Sequence, residues 1–257
     1  ELALENKLHI DVMTVSGKTL GENLAGKRSS DWSVIASCKK PVRENAGFLV
    51  ISGNLIDSAL MKTSVISDDF RERFFSTPGK EGIFEAKAVV FEGPEDYHDR
   101  INDSDLEIDD KTVLFIRGVG CVGYPGSAEV VNMLPPDNLV KEGINHLPTV
   151  GDGRQSGTSE SPSILNASPE SVVGGGLAYL KTGDRVLLDL NKSEMNALVP
   201  ADEWALRKKD WIVPEIISHT PWEEIYRSHV GQLAEGGCFE MATKYQKVRE
   251  KISWWFI

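Results

Sequence analysis

LPTVGDGRQSGTS, at residues 147–159, joins a short apolar run to a turn that contains three glycines and four hydroxyl or amide side chains. The apolar run predicts a β-strand, and Asp152-Gly153 is typical of a tight turn, because glycine tolerates positive φ and close approach of other groups. Strand, sharp turn and exposed hydroxyl together make Ser156 a candidate reactive group. The alternative is a solvated loop in which Ser156 and Thr158 bond only to their own backbone.

The rest of the chain alternates between β-rich runs and helical stretches. Strands are predicted at residues 47–51, 86–91, 112–118, 147–150 and 184–190. Helices are predicted at residues 127–143, 169–181, 201–209 and 221–233. Ser168 as N-cap, followed by Pro169 and Glu170, predicts the start of the second helix. This alternation predicts one α/β domain with largely parallel strands.

Composition narrows the class of protein. The chain has 257 residues, 40% of them apolar and 26% charged, which is enough to bury a core as a single globular domain. A net charge of −11 argues against nucleic acid as a partner, because phosphate binding needs a basic surface. No apolar stretch approaches the ~20 residues of a membrane-spanning helix, so no membrane partner is expected.

The cysteines indicate the compartment. Cys38, Cys121 and Cys238 are odd in number and far apart in sequence, which favours a reducing environment, with the cytoplasm as the default. Their separations lack the paired spacing of a zinc or iron–sulfur site.

Three motifs occur in order along the chain. They are GYPGSAEVVNM at residues 123–133, GDGRQSGTS at 151–159 and TPWEEIYR at 220–227. Together they resemble the C-terminal part of the dihydroxy-acid, phosphogluconate and sugar-acid dehydratase family, and within it they are most similar to the pentonate (xylonate or arabinonate) dehydratases.

The resemblance implies a particular organisation. It implies a swivelling, β-barrel-like domain flanked by helices at residues 36–257, preceded at residues 1–35 by the linker and first helix from an N-terminal half. Family members are about twice this length, and their N-terminal half carries the cysteines of an iron–sulfur cluster. We therefore expect a domain cut from a longer enzyme, without the cluster and inactive by itself, whose partners are its own N-terminal domain and further copies in a homo-oligomer.

The resemblance also implies a reaction. A hydro-lyase of this family would convert a sugar acid, here a pentonate, to a 2-keto-3-deoxy acid. A base must remove the weakly acidic C2 proton, and a Lewis acid must help to expel the C3 hydroxyl. The family assigns the base to a serine alkoxide that maps onto Ser156. Gly153 and Gly157 would let backbone N–H groups approach and stabilise that oxyanion.

Four further residues are assigned to the site, Glu129 by the resemblance and the other three by their place on the turn. Glu129 matches a carboxylate ligand of Mg²⁺, although an acid in the first turn of the predicted 127–143 helix is also favoured by the helix dipole alone. One carboxylate holds Mg²⁺ weakly, so the other ligands are expected in the N-terminal half. Thr158, Gly157 and Arg154 are expected to contact the substrate.

Alternatives exist for these assignments. Arg154 could simply pair with Asp152, and Thr158 could serve only its own turn. The glycines at 174–176 could cradle a phosphate in an unrelated α/β binding protein, although three glycines more often allow tight backbone packing. For the whole chain, the alternative to an enzyme is a non-catalytic binding or assembly module that retains the swivelling domain.

Overall fold

The chain forms two compact units, Glu1–Ala46 and Gly47–Ile257. The computed structural model describes residues 1–42, 44, 47–155, 160–242 and 244. The first unit contains a short helix, α1 (Leu20–Leu24). Thr19 and Glu22 form a reciprocal capping box at its start, which satisfies two backbone N–H groups that the helix itself cannot bond.

One eight-stranded sheet organises the second unit. In chain order its strands are β1 (Phe48–Ile51), β2 (Ser58–Lys62), β3 (Ile83–Phe91), β4 (Thr112–Ile116), β5 (Thr149–Gly151), β6 (Ser163–Ser168), β7 (Arg185–Asp189) and β8 (Glu194–Ala197). Their order across the sheet is β1-β2-β6-β5-β4-β3-β7-β8. The five predicted strands are all present with shifted ends, whereas β2, β6 and β8 were not predicted.

The sheet is parallel only at its centre. β3, β4, β5 and β6 pair in parallel, whereas β1–β2, β2–β6, β3–β7 and β7–β8 pair antiparallel. The prediction of largely parallel strands is therefore wrong for the outer strands, because the short links within β1–β2 and β7–β8 permit only antiparallel neighbours. The α/β class itself is confirmed.

The two ends of the sheet approach each other. Ser52, just after β1, forms a parallel bridge with Glu194 of β8. Its N–H donates to the Ser193 carbonyl at 3.0 Å, and its carbonyl accepts from Met195 N at 2.8 Å. The sheet is thus a nearly closed barrel, as the resemblance implied.

Both faces of the central strands are covered. Along β3, Ala86, Ala88 and Val90 belong to one buried apolar cluster, and Val89 and Phe91 belong to a second. Alternate side chains point to opposite faces of a strand, so this central strand is buried on both sides.

The helices are short and lie between or after the strands. They are α2 (Asp68–Phe75), α3 (Pro94–Arg100), α4 (Asp137–Lys141), α5 (Ala201–Asp210) and α6 (Pro221–His229). α5 and α6 confirm the helices predicted at 201–209 and, up to His229, at 221–233. Among the described residues, no helix combines the length and the apolar character needed to cross a membrane.

Two predicted helices are wrong. In the 127–143 stretch only α4 is helical: Ser127 has a φ of +61°, and the backbone of Ala128 and Val131 pairs with Val119 and Arg154 instead of forming helical hydrogen bonds. The 169–181 stretch contains two 3-10 turns, Ser171–Val173 and Gly176–Tyr179. Between them Gly174 has a φ of +87°, which an α-helix excludes.

The glycines at 174–176 serve packing. A Cβ on Gly175 would lie 1.7 Å from the Pro169 carbonyl oxygen, and one on Gly176 would lie 2.5 Å from the Leu55 carbonyl oxygen. Neither position has room for a side chain. This tight backbone contact explains the glycines without a phosphate ligand.

Candidate active site

The glycine-rich turn begins where β5 ends, and a fully buried carboxylate anchors it. Asp152 has no exposed surface. Its Oδ1 accepts from Val119 N at 3.0 Å, and its Oδ2 accepts from Gly118 N at 3.1 Å. Oδ2 also accepts from the backbone N and the Oγ of Ser171, at 2.8 and 2.6 Å. A buried charge is tolerable when donors surround it in this way, so Asp152 ties the turn to two other segments.

Arg154 does not pair with Asp152. Its Nε donates to the Ser127 carbonyl at 2.8 Å, and the residue as a whole is exposed. The exposed guanidinium keeps further donors for an anionic ligand. Its predicted contact with substrate stays a prediction.

The segment that carries Glu129 lies directly against this turn. Arg154 N donates to the Ala128 carbonyl at 2.8 Å, and Val131 N donates to the Arg154 carbonyl at 3.2 Å. Glu129 lies between these two contacts, exposed and in non-helical backbone. Its expected place in the first turn of a helix is therefore wrong, and the helix dipole does not explain its charge. The backbone around Glu129 nevertheless lies against the turn, and its role as a Mg²⁺ ligand stays a prediction.

Gly153 allows this close approach. A Cβ at this position would lie 2.6 Å from the Ala128 carbonyl oxygen and 2.9 Å from Val119 Cγ2. Because the nearest atom belongs to the backbone, only glycine lets the two segments meet at this distance.

Ser156, Gly157 and Thr158 lie outside the described residues, and their predicted roles stay predictions. The structure describes the positions on either side. On one side, Gln155 Oε1 accepts a short hydrogen bond from Ser163 Oγ of β6. On the other, the Glu160 carbonyl accepts from Ser67 N at 2.7 Å.

A second buried carboxylate was missed by sequence reasoning. Glu170 is 2% exposed and accepts from Val122 N at 2.9 Å, from Gly123 N at 2.9 Å and from Gln232 Nε2 at 3.0 Å. Burial raises the pKa of its carboxyl above the ordinary value, and the N–H donors oppose that rise only in part. The sequence placed Glu170 in a helix start, and nothing local indicates that its side chain is buried.

Arg227 of the TPWEEIYR motif bonds to the same backbone segment, around Val122, that surrounds the Glu170 carboxylate. Thr220 caps α6 by accepting from Glu223 N at 3.2 Å, with Pro221 in the first turn. From this helix, Arg227 Nε donates to the Val122 carbonyl at 2.9 Å. Beside this contact lies an open cleft of about 990 Å³, whose lining includes Tyr124 and Trp211.

The described residues do not complete a metal centre. They contain no group of three or more His, Cys, Asp or Glu side chains placed to hold an ion. Asp152 and Glu170 use their oxygens for N–H and O–H donors, whereas Glu129 is exposed. Glu129 fits a single Mg²⁺ ligand, which prefers oxygen donors. The described residues do not fit an iron–sulfur cluster, because no group of metal-binding side chains includes their cysteines and because burial raises the pKa of the Cys121 thiol, which opposes the thiolate that a cluster needs.

Comparison with known proteins identifies the family. Residues 33–238 match the model of the dihydroxy-acid/6-phosphogluconate dehydratase C-terminal domain. The chain belongs to this dehydratase family. The match includes the turn at 151–155, Glu129 and both buried carboxylates.

The relatives that match individually include sugar-acid dehydratases and a dihydroxy-acid dehydratase. The chain is 57% identical to the D-xylonate dehydratase of Caulobacter vibrioides over 98% of its own length and 42% of the relative's. It is 32% identical to an L-arabinonate dehydratase of Rhizobium leguminosarum over 87% and 37% of the two lengths. With a dihydroxy-acid dehydratase of Acetivibrio thermocellus it shares 31% identity over 83% and 36%. The chain thus spans about two fifths of the length of these family members.

Proposed function

We propose that this chain is the C-terminal domain of a sugar-acid dehydratase that converts a pentonate to a 2-keto-3-deoxy acid. The observation that carries the proposal is the 57% identity with a D-xylonate dehydratase over 98% of the chain. In this proposal residues 36–257 are the swivelling domain, and residues 1–35 link it to an N-terminal half that carries an iron–sulfur cluster. A cytoplasmic homo-oligomer is expected.

The chemistry assigned to the chain begins with Ser156. Its alkoxide would remove the C2 proton of a 2,3-dihydroxy acid as the C3 hydroxide leaves. The proton held by Ser156 would then pass to that hydroxide, which gives water and restores the alkoxide. The resulting enol then tautomerises to the 2-keto acid, so that the net change is loss of one water. A serine hydroxyl ionises only where cations or oriented N–H groups stabilise the oxyanion. The neighbouring Gly157 gives such groups room to approach.

Glu129 and Arg154 would serve the substrate from the adjacent segment. Mg²⁺ would act as a Lewis acid on the substrate oxygens, and Glu129 would supply one of its ligands. Arg154 and Thr158 would bind the sugar-acid carboxylate or a hydroxyl. The pairing of Arg154 with both Ala128 and Val131 supports this arrangement, because it fixes the backbone on each side of Glu129 relative to the turn.

An anaerobic assay of keto-acid formation from D-xylonate and L-arabinonate tests the proposal. The chain is assayed alone and then fused to, or mixed with, a cysteine-bearing N-terminal half whose cluster content is confirmed. We expect product only from the combined form. Absence of product there, with a loaded cluster and both pentonates tried, would contradict the proposal and favour a binding or assembly module.

A further inference from the structure

A tightly closed loop leads from β4 to Glu129. We call residues 118–128 the Gly118–Ala128 loop. Its ends are joined where Ala128 N donates to the Val119 carbonyl at 3.0 Å. Inside it, Ser127 N donates to the Tyr124 carbonyl at 2.7 Å. Glu129 directly follows the point of closure, so its position depends on the shape of this loop.

The carboxylate of Glu170 fills the inside of the loop. Val122 N and Gly123 N both point at it, each at 2.9 Å. A Cβ on Gly120 would lie 2.5 Å from Glu170 Oε2, so the loop backbone wraps closely around the anion. Gln232 Nε2 donates from outside the loop at 3.0 Å and keeps the carboxylate in place.

Arg227 holds the same peptide group from the other side. Its Nε donates to the Val122 carbonyl at 2.9 Å, while its Nη1 is fixed by the Ile217 carbonyl at 2.9 Å and by Ser218 Oγ at 2.6 Å. The Arg227 side chain is 14% exposed. The peptide between Val122 and Gly123 is therefore held by an anion at its N–H side and by a cation at its C=O side. Hydrogen bonds to charged groups are the stronger ones in proteins, which makes this a rigid point in the loop.

We propose that Glu170 is a positioning residue for the dehydration: with Arg227, it holds the Gly118–Ala128 loop so that Glu129 stays beside the turn at 151–155. The inference rests on the proposed function, because it takes Glu129 as a ligand of the divalent cation. Glu170 itself contacts neither cation nor substrate, because N–H donors occupy both of its oxygens. Some residues orient a metal ligand without contacting the metal themselves. Mutation of such a residue lowers metal affinity by about 10–100-fold.

The test measures cation binding separately from turnover. Mn²⁺ replaces Mg²⁺ as a paramagnetic probe, and its affinity for the complete enzyme is measured by electron paramagnetic resonance at neutral pH. We expect Glu129→Gln to abolish the strong site and Glu170→Gln to weaken it about 10–100-fold. Glu142→Gln, an exposed site at the end of α4, is the matched control and should bind Mn²⁺ like the wild type. Hydrogen–deuterium exchange of residues 118–131 should accelerate in Glu170→Gln and stay unchanged in the control.

Wild-type Mn²⁺ affinity in a folded Glu170→Gln enzyme would overturn the inference, even if exchange of the loop were faster. If that variant does not fold, Arg227→Lys decides: it should also weaken the site, and wild-type affinity would overturn the inference. A wild-type enzyme that binds no Mn²⁺ would overturn it as well. Failure of the proposed function has a different signature, a cluster-loaded wild-type enzyme that forms no keto acid from either pentonate.

Discussion

The substitution Asp152→Asn should destabilise the domain strongly. The Asn side chain has one acceptor oxygen, whereas the Asp carboxylate has two. The most favourable orientation of the amide places its oxygen at the position of Oδ2, which accepts three hydrogen bonds in the wild type. The new NH₂ group then faces Val119 N–H, which loses its partner. An unpaired buried donor costs about 1–3 kcal/mol, and the three remaining hydrogen bonds lose their charge-assisted strength.

Relief of the buried charge offsets part of this loss, which leaves a net destabilisation of about 3 kcal/mol. For a domain of this size that corresponds to a drop in Tm of roughly 6–12 °C. Urea unfolding followed by tryptophan fluorescence measures the change in the free energy of unfolding. Asp99→Asn, on the exposed surface of α3, is the matched control and should stay within about 0.5 kcal/mol of the wild type. A similarly small effect in Asp152→Asn would refute the anchoring role of this carboxylate.

Two further predictions concern the same region. Gly153→Ala should lower the free energy of unfolding by about 1–3 kcal/mol and lower turnover, because the new Cβ would lie 2.6 Å from the Ala128 carbonyl oxygen. Gly231→Ala is the control and should be tolerated, because its Cβ would have its nearest contact at 3.6 Å. Equal stability of the two variants in urea would contradict this. Burial raises the pKa of the Glu170 carboxyl, so the folded state binds the carboxyl proton more tightly than the unfolded state does. The resulting stabilisation is fully present below the unfolded pKa. It is lost as pH rises through the folded pKa. The free energy of unfolding of the wild type relative to Glu170→Gln should therefore fall as pH rises above the ordinary glutamate pKa of about 4.3, and a difference that does not vary with pH would contradict the direction of the shift.

The sequence predicted those strands and helices whose own residues favour that structure. The strands at 86–91 and 112–118 are β-branched and apolar, and α5 has acids at its start and bases at its end. The turn pair Asp152-Gly153 also follows from its own chemistry. By contrast, β2, β6 and β8 are short and contain Ser, Asn, Glu or Lys, so they become strands only because neighbours pair with them.

The geometry of the candidate site depends on contacts between segments that are distant in sequence, and the sequence did not predict it. The helix expected around Glu129 is absent because tertiary pairing with Arg154 overrides local propensity, and this pairing is what brings the Glu129 segment against the turn. The role of Glu170 depends on donors nearly fifty residues away in sequence, from the loop around Val122. No periodicity or spacing near Glu170 carries that information.

Removal of the hydroxyl of Ser156, the assigned base, tests the proposed dehydration directly. Ser156→Ala is introduced into the complete, cluster-loaded enzyme, and keto-acid formation from D-xylonate is followed under anaerobic conditions. We predict a loss of kcat of at least about 10³-fold, the scale on which removal of a covalent or proton-transferring group acts, with unchanged urea unfolding and unchanged Mn²⁺ binding. Turnover close to that of the wild type would contradict it.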